Sequence, residues 1–506
     1  MKPELEVVDD QVDVSVKETL IEPESADEPS NGVVAEEIDV REKITLAEKS
    51  QSPWEILVYG SPDTRQPVWS AVSFLINALL VLLTADALYR ARWLHPSHDL
   101  SFVRLGYVSH NEAKFLLREP DQSKMPITVE VRVADPHSPF DSGSAIWQVA
   151  GGLKSTSEAT DFTGVVNVPL KNSQQRWYDW RTSNNHTGQF LSAPKPGNMP
   201  EYNGGKFTFL STSCILPRFP YNPLDHALAI PGMRHLANRL PHLGAQFMLF
   251  LGDFIYVDVP QRFGKSVEEY RMQYRQVYAS PEWQPVGQNL SWIHVLDDHE
   301  ISNDWSSQDS GIYENAVEPW NIYQANVNPP QAIKAGTSSL RRKDATWYEF
   351  TQGPASFFML DTRSYRSSNN EPFKDEEKTM LGPEQLADFL AWLARPEPRG
   401  VKWKIVASSV PFTKNWPVNV KDTWGGFLVE RKKILEAMWD TGARGMGVVI
   451  LSGDRHEFAA TRFPPPAGSR WPTYAAPHEI SASPLNQFAS PIPTYKQSDG
   501  EDVKLK

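Results

Sequence analysis

The sequence predicts an α/β body, a sheet core flanked by helices, preceded by a small β-sandwich module and a single hydrophobic helix. Three observations carry that expectation. From residue 206 onwards, compact apolar runs alternate with stretches long enough to be helices, the pattern of a sheet covered on both faces. Between residues 100 and 205 the runs are shorter and are split by turn-rich pieces, as in a β-sandwich. Ahead of both lies one uncharged stretch of 20 residues, 66–85.

The chain has 506 residues, which at roughly 150 residues per domain predicts about three units. Its net charge is −12, but residues 1–50 hold −10 of it and the remainder only −2. The acidity therefore belongs to a tail. Residues 1–50 lack aromatics and are rich in charge, with Pro and Ser in the middle, so they are expected to be a disordered acidic tail. They lack the basic start of a signal peptide. The nearly neutral body carries no basic tract, so duplex nucleic acid is not an expected partner. A single cysteine excludes an internal disulfide.

Residues 66–85 would reach about 30 Å as a helix, the thickness of a bilayer core. Trp69 and Tyr89 flank the run, as interfacial aromatics do, and Arg90 and Arg92 follow it. Residues 66–89 are thus expected to be a transmembrane or membrane-associated helix, single-pass or peripheral, in a compartment the sequence does not specify. Ser70, Ser73 and Asn77 keep a soluble core helix open as the alternative. Asn185 and Asn289 head glycosylation triplets, usable only if the body is lumenal. In the β-rich module no residue stands out chemically; Arg118 and His137 read as surface or packing residues.

In the body, strands are expected at 207–210, 247–251, 292–296, 357–360, 404–407 and 448–451, and helices at 231–239, 267–278, 383–394 and 429–441. The strands end in STSC, LGD, LDDHE, LD, SS and LSGDRH. In covered sheets the polar residues gathered at strand C-termini form the site. Asp253 and Tyr256, three apart, can meet one ion; a carboxylate can bridge two metals and a phenolate suits Fe³⁺. Asp454 and His456, two apart in an extended segment, point the same way. Asp297, Asp298, His299 and Glu300 are four ionisable residues in a row, too costly for a strand interior without a metal or an ion-pair network. An exposed loop is the other reading. Cys214 ends a strand too, though a lone cysteine is more often a small buried hydrophobe. GxSxG, GxxxxGK[ST] and HExxH are all absent. Two metals bridged by a carboxylate activate hydroxide and hold phosphoryl oxygens, and an imidazole protonates the leaving alkoxide; His299 suits that role.

The set STSC, LGDFIY, LDDHEISNDW, FFMLDTRSYR, DTWGGF and LSGDRH resembles the PhoD-like alkaline phosphatases and phosphodiesterases of the calcineurin-like (metallophosphoesterase) superfamily. The resemblance covers residues 100–498. The module at 100–205 looks like the family's β-sandwich, and 206–498 like its catalytic domain, a metallophosphoesterase-type sandwich. The acidic tail, the apolar helix and DLSFVRLGYVS resemble the fungal, membrane-associated branch. By this resemblance Cys214 and Tyr256 would ligate Fe³⁺ and Asp253 would bridge. Asp298, at the position of the superfamily's Asn, would contact the second metal. His299 would be the general acid, and Asp454 and His456 the paired ligands near the C-terminus. The second metal would be Ca²⁺, with Mn²⁺, Zn²⁺ and Mg²⁺ equally compatible. Asn303, Arg363, Arg455 and Asp297 are candidates for contacting substrate or backing the ligands, with Asp361 and Arg363 favoured as a structural pair. Asn415, Trp416 and Trp424 are candidates for lining the cleft. The chain ends 50 residues after His456, where family members usually continue with further β structure, so an edge strand is expected to be missing. The expected activity is hydrolysis of small phosphomonoesters or phosphodiesters. A membrane-tethered binding or scaffold protein on a degenerate phosphatase fold is the alternative.

Overall fold

The computed structural model describes residues 5–21, 33–48, 51–134, 146–259, 265–330 and 345–505. The chain divides into two units, residues 1–86 and 87–506. In the first, β1 (Leu5–Ile21) and β2 (Val33–Glu48) pair antiparallel, with Val14 opposite Val40 and Val16 opposite Ile38. The tail expected to be disordered is therefore a two-stranded ladder over its described residues. Its composition reads as disorder, but the alternation of Val12, Val14 and Val16 has the period of a strand. The short helix α1 (Pro53–Tyr59) opens on a capping box between Ser52 and Glu55. The long helix α2 (Pro67–Leu94) holds the apolar run; only Ser73 along it is buried. Among the described residues, one helix is thus long and apolar enough to cross a membrane.

The second unit begins with two antiparallel sheets. One comprises β3 (Phe102–Val108), β4 (Glu112–Arg118) and β7 (Thr163–Pro169). The other orders β6 (Gln148–Leu153), β5 (Ile127–Ala134), β8 (Trp177–Thr182) and β9 (Thr187–Leu191). Their inner faces share one core, with Phe115 edge-on to Trp180 at 5.3 Å. Arg118 is a buried packing residue: it pairs with Asp161 at 3.0 Å, which Arg275 also meets at 2.7 Å. His137 lies outside the described residues.

The body holds two further sheets. A parallel one orders β12 (Ser291–His294), β11 (Phe247–Phe250), β10 (Leu210–Ile215) and β19 (Pro484–Asn486). A mixed one orders β13 (Tyr348–Gln352), β14 (Ala355–Met359), β15 (Trp403–Ser408), β16 (Gly447–Ser452), β18 (His478–Ser481), β17 (Ala459–Arg462) and β20 (Val503–Lys504). Phe247, Leu249 and Ile293 of the first sheet share a core with Phe357, Ile405 and Leu451 of the second. The helices α3 (Pro231–Leu243), α4 (Val267–Tyr278), the single turn α5 (Gln284–Gly287) and α6 (Tyr313–Tyr323) cover the first sheet. Two more, α7 (Gly382–Ala394) and α8 (Leu428–Ala443), cover the second. The last strand, β20, occupies the sheet edge beside β17.

β10 starts at Leu210, later than the run at 207–210 implies; Phe207 and Phe209 instead pack beside the core shared by the sheets. The pattern missed α6, where Pro319 interrupts an otherwise helical stretch. It missed β17 and β18 as well, which are only four residues each.

Candidate metal centre

The C-terminal ends of β10, β11 and β12, parallel neighbours, lie at one sheet edge, and the end of β16 meets them there from the other sheet, where a Cβ at Gly453 would lie 2.7 Å from the Cβ of Ser213. Cys214, Asp253, Asp454 and His456 all have positive φ, 61°, 60°, 69° and 55°. A non-glycine residue in that region is strained, and such strain gathers at functional sites. Gly252, with φ 94°, makes the turn possible: a Cβ there would meet the Cβ of Asp297 at 2.3 Å.

Two donor sets meet at Asp253. On one side Cys214 Sγ lies 3.2 Å from Asp253 Oδ2, and the Tyr256 hydroxyl donates to the same oxygen at 3.0 Å. The Tyr256 oxygen is 3.4 Å from His456 Nε2. Donor atoms of Cys214, Asp253 and His456 lie within 4.8 Å of one another. On the other side the same holds for Asp253, Asp298 and His299, and for Asp297, Asp298 and Asp454.

Glu300 staples the loop beneath. Its carboxylate accepts from the backbone N–H groups of Asp253 (3.0 Å), Phe254 (2.5 Å) and Asp297 (2.9 Å). His299 Nδ1 lies 2.7 Å from Asp258 Oδ1, and its ring tilts over Tyr256 with centroids 4.3 Å apart. Behind the acids, the fully buried Arg363 donates to Asp297 Oδ1 at 2.5 Å and to both oxygens of Asp422 at 2.8 and 3.1 Å. Arg366 and Asn369 also donate to Asp422.

Burial pushes the Asp253 carboxyl well above its usual range; the imidazole of His299 opposes this and Asp298 adds to it. Burial likewise raises Asp454 to about 6 and Glu300 to about 8. The Cys214 thiol and Tyr256 phenol are pushed up by burial and then by Asp253. Burial and the charge of His299 push His456 down to about 4. His299 rises despite its burial, because Asp298, Asp253 and Asp258 favour the imidazolium. So many acidic groups cannot all ionise here without added positive charge. Asp253 Oδ1 and Asp297 Oδ2 are buried with no hydrogen-bond partner, and Asp454 Oδ2 has only an unaligned ion pair, 3.0 Å from Arg455 Nε. Orphaned carboxylate oxygens beside a thiol, a phenol and two imidazoles fit a resident cation.

Cys214, Asp253, Tyr256, Asp297, Asp298, His299, Asp454 and His456 are thus brought together. Arg455 sits at the rim, bonded to the Asn419 carbonyl at 2.9 Å. Asn303 is exposed, and its backbone N–H donates to Asp258 at 2.6 Å. Asp304, next along the chain, falls in a further acidic group with Asp298 and Asp422. The Arg363 guanidinium meets Asp297 and Asp422 rather than Asp361, which accepts from the backbone N–H groups of Arg363 at 2.8 Å and Ser364 at 2.9 Å and from the Thr346 hydroxyl. Asn415, Trp416 and Trp424 do not line a cleft: all three are buried, with Trp424 Nε1 donating to Ser408 at 3.1 Å and Asn415 to Tyr495 at 2.9 Å.

Residues 209–504 match the sequence family described as PhoD-like phosphatase. The chain belongs to the PhoD-like phosphatases. Family membership implies phosphoester hydrolysis with metal dependence. A solved chain titled "Structure of PhoD" superposes with a TM-score of 0.55 at 18% identity, over 76% of each chain. That likeness concerns the fold. No curated protein matches the sequence. Within the PhoD-like body, sequence reasoning missed Asp258, Asp304 and Asp422. Asp258 stands five residues after Asp253 in LGDFIYVD, a second carboxylate in the same turn-rich segment, and that was the available signal.

Proposed function

We propose that this chain hydrolyses small phosphomonoesters or phosphodiesters at a binuclear metal centre, with His299 as general acid. The observation that carries the reading is the sharing of Asp253 between two donor sets. Cys214, Tyr256, His456 and Asp253 would hold the first ion, read as Fe³⁺ from its thiol and phenol donors. Asp253, Asp298 and Asp454 would hold the second, read as Ca²⁺ or another hard divalent ion. When bound, such ions supply Lewis acidity at the phosphoryl oxygens and lower the pKa of water.

The chain's own residues do the rest. Asp258 fixes the His299 ring through Nδ1, which leaves Nε2 to hold a proton for the leaving alkoxide. Arg363 and Ser409 fix Asp297, both at its Oδ1. The Arg455 guanidinium, at the rim, matches the geometry of a phosphate. We read the chain as a member of the calcineurin-like superfamily, similar to its fungal membrane-associated branch. Residues 100–205 are read as its β-sandwich module and 206–498 as its catalytic domain. Residues 66–89 would hold it at a membrane, single-pass or peripheral, and duplex nucleic acid would not be a substrate.

The test is elemental analysis of the purified chain, with hydrolysis of a chromogenic monoester and diester in the presence and absence of Ca²⁺ or Mn²⁺. Near-stoichiometric iron, and activity lost in Asp253→Asn, are expected. Folded protein with neither metal nor activity would leave a tethered binding protein as the better reading.

A further inference from the structure

The long apolar helix does not stand alone. The seven-residue α1 runs beside its first turns, and the contacts between them keep a parallel register. The Gln51 N–H donates to Asp63 Oδ2 at 3.1 Å, and the Gln66 side chain donates to the Gln51 carbonyl. Higher up, Ser73 Oγ donates to the Ile56 carbonyl at 3.0 Å. Higher still, a Cβ added at Gly60 would meet Asn77 Nδ2 at 3.3 Å. So α1 climbs alongside α2 as far as Asn77, about 15 Å from Pro67 at 1.5 Å per residue. Residues 61–66 then carry the chain back to where α2 begins.

This arrangement disposes of the polar residues in the apolar run. Ser70, Ser73 and Asn77 recur at helical spacing and share one face. That face is the one α1 lies on. Ser70 Oγ donates to the Asp63 carbonyl at 2.9 Å, and Asn77 Nδ2 to the Ser73 carbonyl at 2.8 Å. The side of α1 turned away from α2 is uncovered: Trp54, Val58 and Tyr59 are 75%, 67% and 66% exposed, with Glu55 among them in the first turn. The charged residues sit at the end where α2 starts. Glu55 accepts from the Ser52 N–H at 2.7 Å, and Asp63 accepts from the Gln51 and Arg65 N–H groups.

We propose that residues 52–66 form a re-entrant collar. It lies in the same bilayer leaflet as the N-terminal half of α2, seals that helix's polar face and presents Trp54, Val58 and Tyr59 to lipid. The inference rests on the membrane reading of residues 66–89. The occupant is lipid because the uncharged run matches a hydrocarbon core in length. Nearly all of that run is uncovered. Aromatic residues also flank it, Trp69 at one end and the stacked pair Tyr89 and Trp93 at the other. Backbone at that depth must be satisfied from within the protein; the capping box serves the start of α1, and at its far end the Ile56 carbonyl accepts from both Ser73 Oγ and the Gly60 N–H.

The test uses the full chain with Val58→Cys, Leu80→Cys or Thr64→Cys, labelled with bimane; the native Cys214 is buried and does not compete. In phosphatidylcholine vesicles, acyl-chain nitroxide should quench the probes at 58 and 80 several-fold more than aqueous iodide does. The probe at 64 should show the reverse. If the probe at 80 behaves as lipid-facing and the one at 58 behaves like that at 64, the collar lies in water and the inference fails, while the membrane reading stands. If the chain does not float with vesicles, both fail. If Val58→Cys instead forms disulfide-linked dimers without lipid quenching, a second copy covers this face and the inference is overturned.

Discussion

Replacing Arg363 by methionine keeps the volume of the side chain and removes the cation from a fully buried cluster. Three carboxylates feel the change. Asp297 loses its 2.5 Å donor, Asp422 loses a bidentate partner at 2.8 and 3.1 Å, and Asp298 loses a charge 3.5 Å away. Removing one member of a buried ion pair costs about 3–5 kcal/mol, because the other is left uncompensated in low dielectric. Arg366 stays 3.2 Å from Asp422 and relieves part of that cost there, but Asp297 keeps only the Ser409 hydroxyl. The assay is thermal unfolding in chelator, so that added cations do not replace the lost one. Arg363→Met should lower Tm by roughly 5 °C, the shift that a loss of this size produces in a unit of residues 87–506. Adding Asp422→Asn to Arg363→Met should recover part of the loss, since one orphaned charge disappears with it. A single variant within 1 °C of the parent, by about the resolution of such scans, would refute the argument. So would a double variant less stable than the single.

Three other outcomes follow from the same geometry. Asp258→Asn should lower kcat/KM about 10–100-fold, since the Asp258 carboxylate orients His299. Because Asp258 favours the imidazolium, the alkaline limb of the pH profile should move to lower pH, and an unmoved limb would contradict that role. Burial pushes the Asp422 carboxyl up, but Arg363 and Arg366 outweigh it and hold the group at about 2, below its ordinary range near 4. Its stabilisation is complete above about pH 4 and is lost as pH falls through about 2. The Tm gap between the parent and Asp422→Asn should therefore narrow on acidification over that window. Gly252→Ala would force a Cβ into Asp297 at a positive φ, and should cost both folding yield and bound metal; wild-type metal content in that variant would show that the turn has slack.

The ends of strands were readable because burial rules are local. An apolar run that stops at Gly-Asp, or at Asp-Asp-His-Glu, cannot go on facing an apolar core, so its last residues, buried though they are, must face something polar. That logic located Cys214, Asp253, Asp298, Asp454 and His456. It could not tell which connections fold inward. Trp416 and Trp424 carry the same local signature whether they line a cleft or fill a core, and they fill a core. Nor did charge content distinguish a ladder from a loose tail in residues 5–21 and 33–48, where backbone pairing sets the outcome.

By itself the sequence determined the chemistry available at each strand end, and the one apolar helix. The tertiary structure decided the partners. Arg363 binds residues 66 positions before it and 59 after it, and Asp258 meets a histidine 41 residues away. Such pairings depend on how loops from different strands pack over one sheet edge, and nothing in a local window encodes that distance. The polar face of the apolar helix shows the same division. Its residues are visible in the sequence, but what covers them appears only when α1 is seen lying against them.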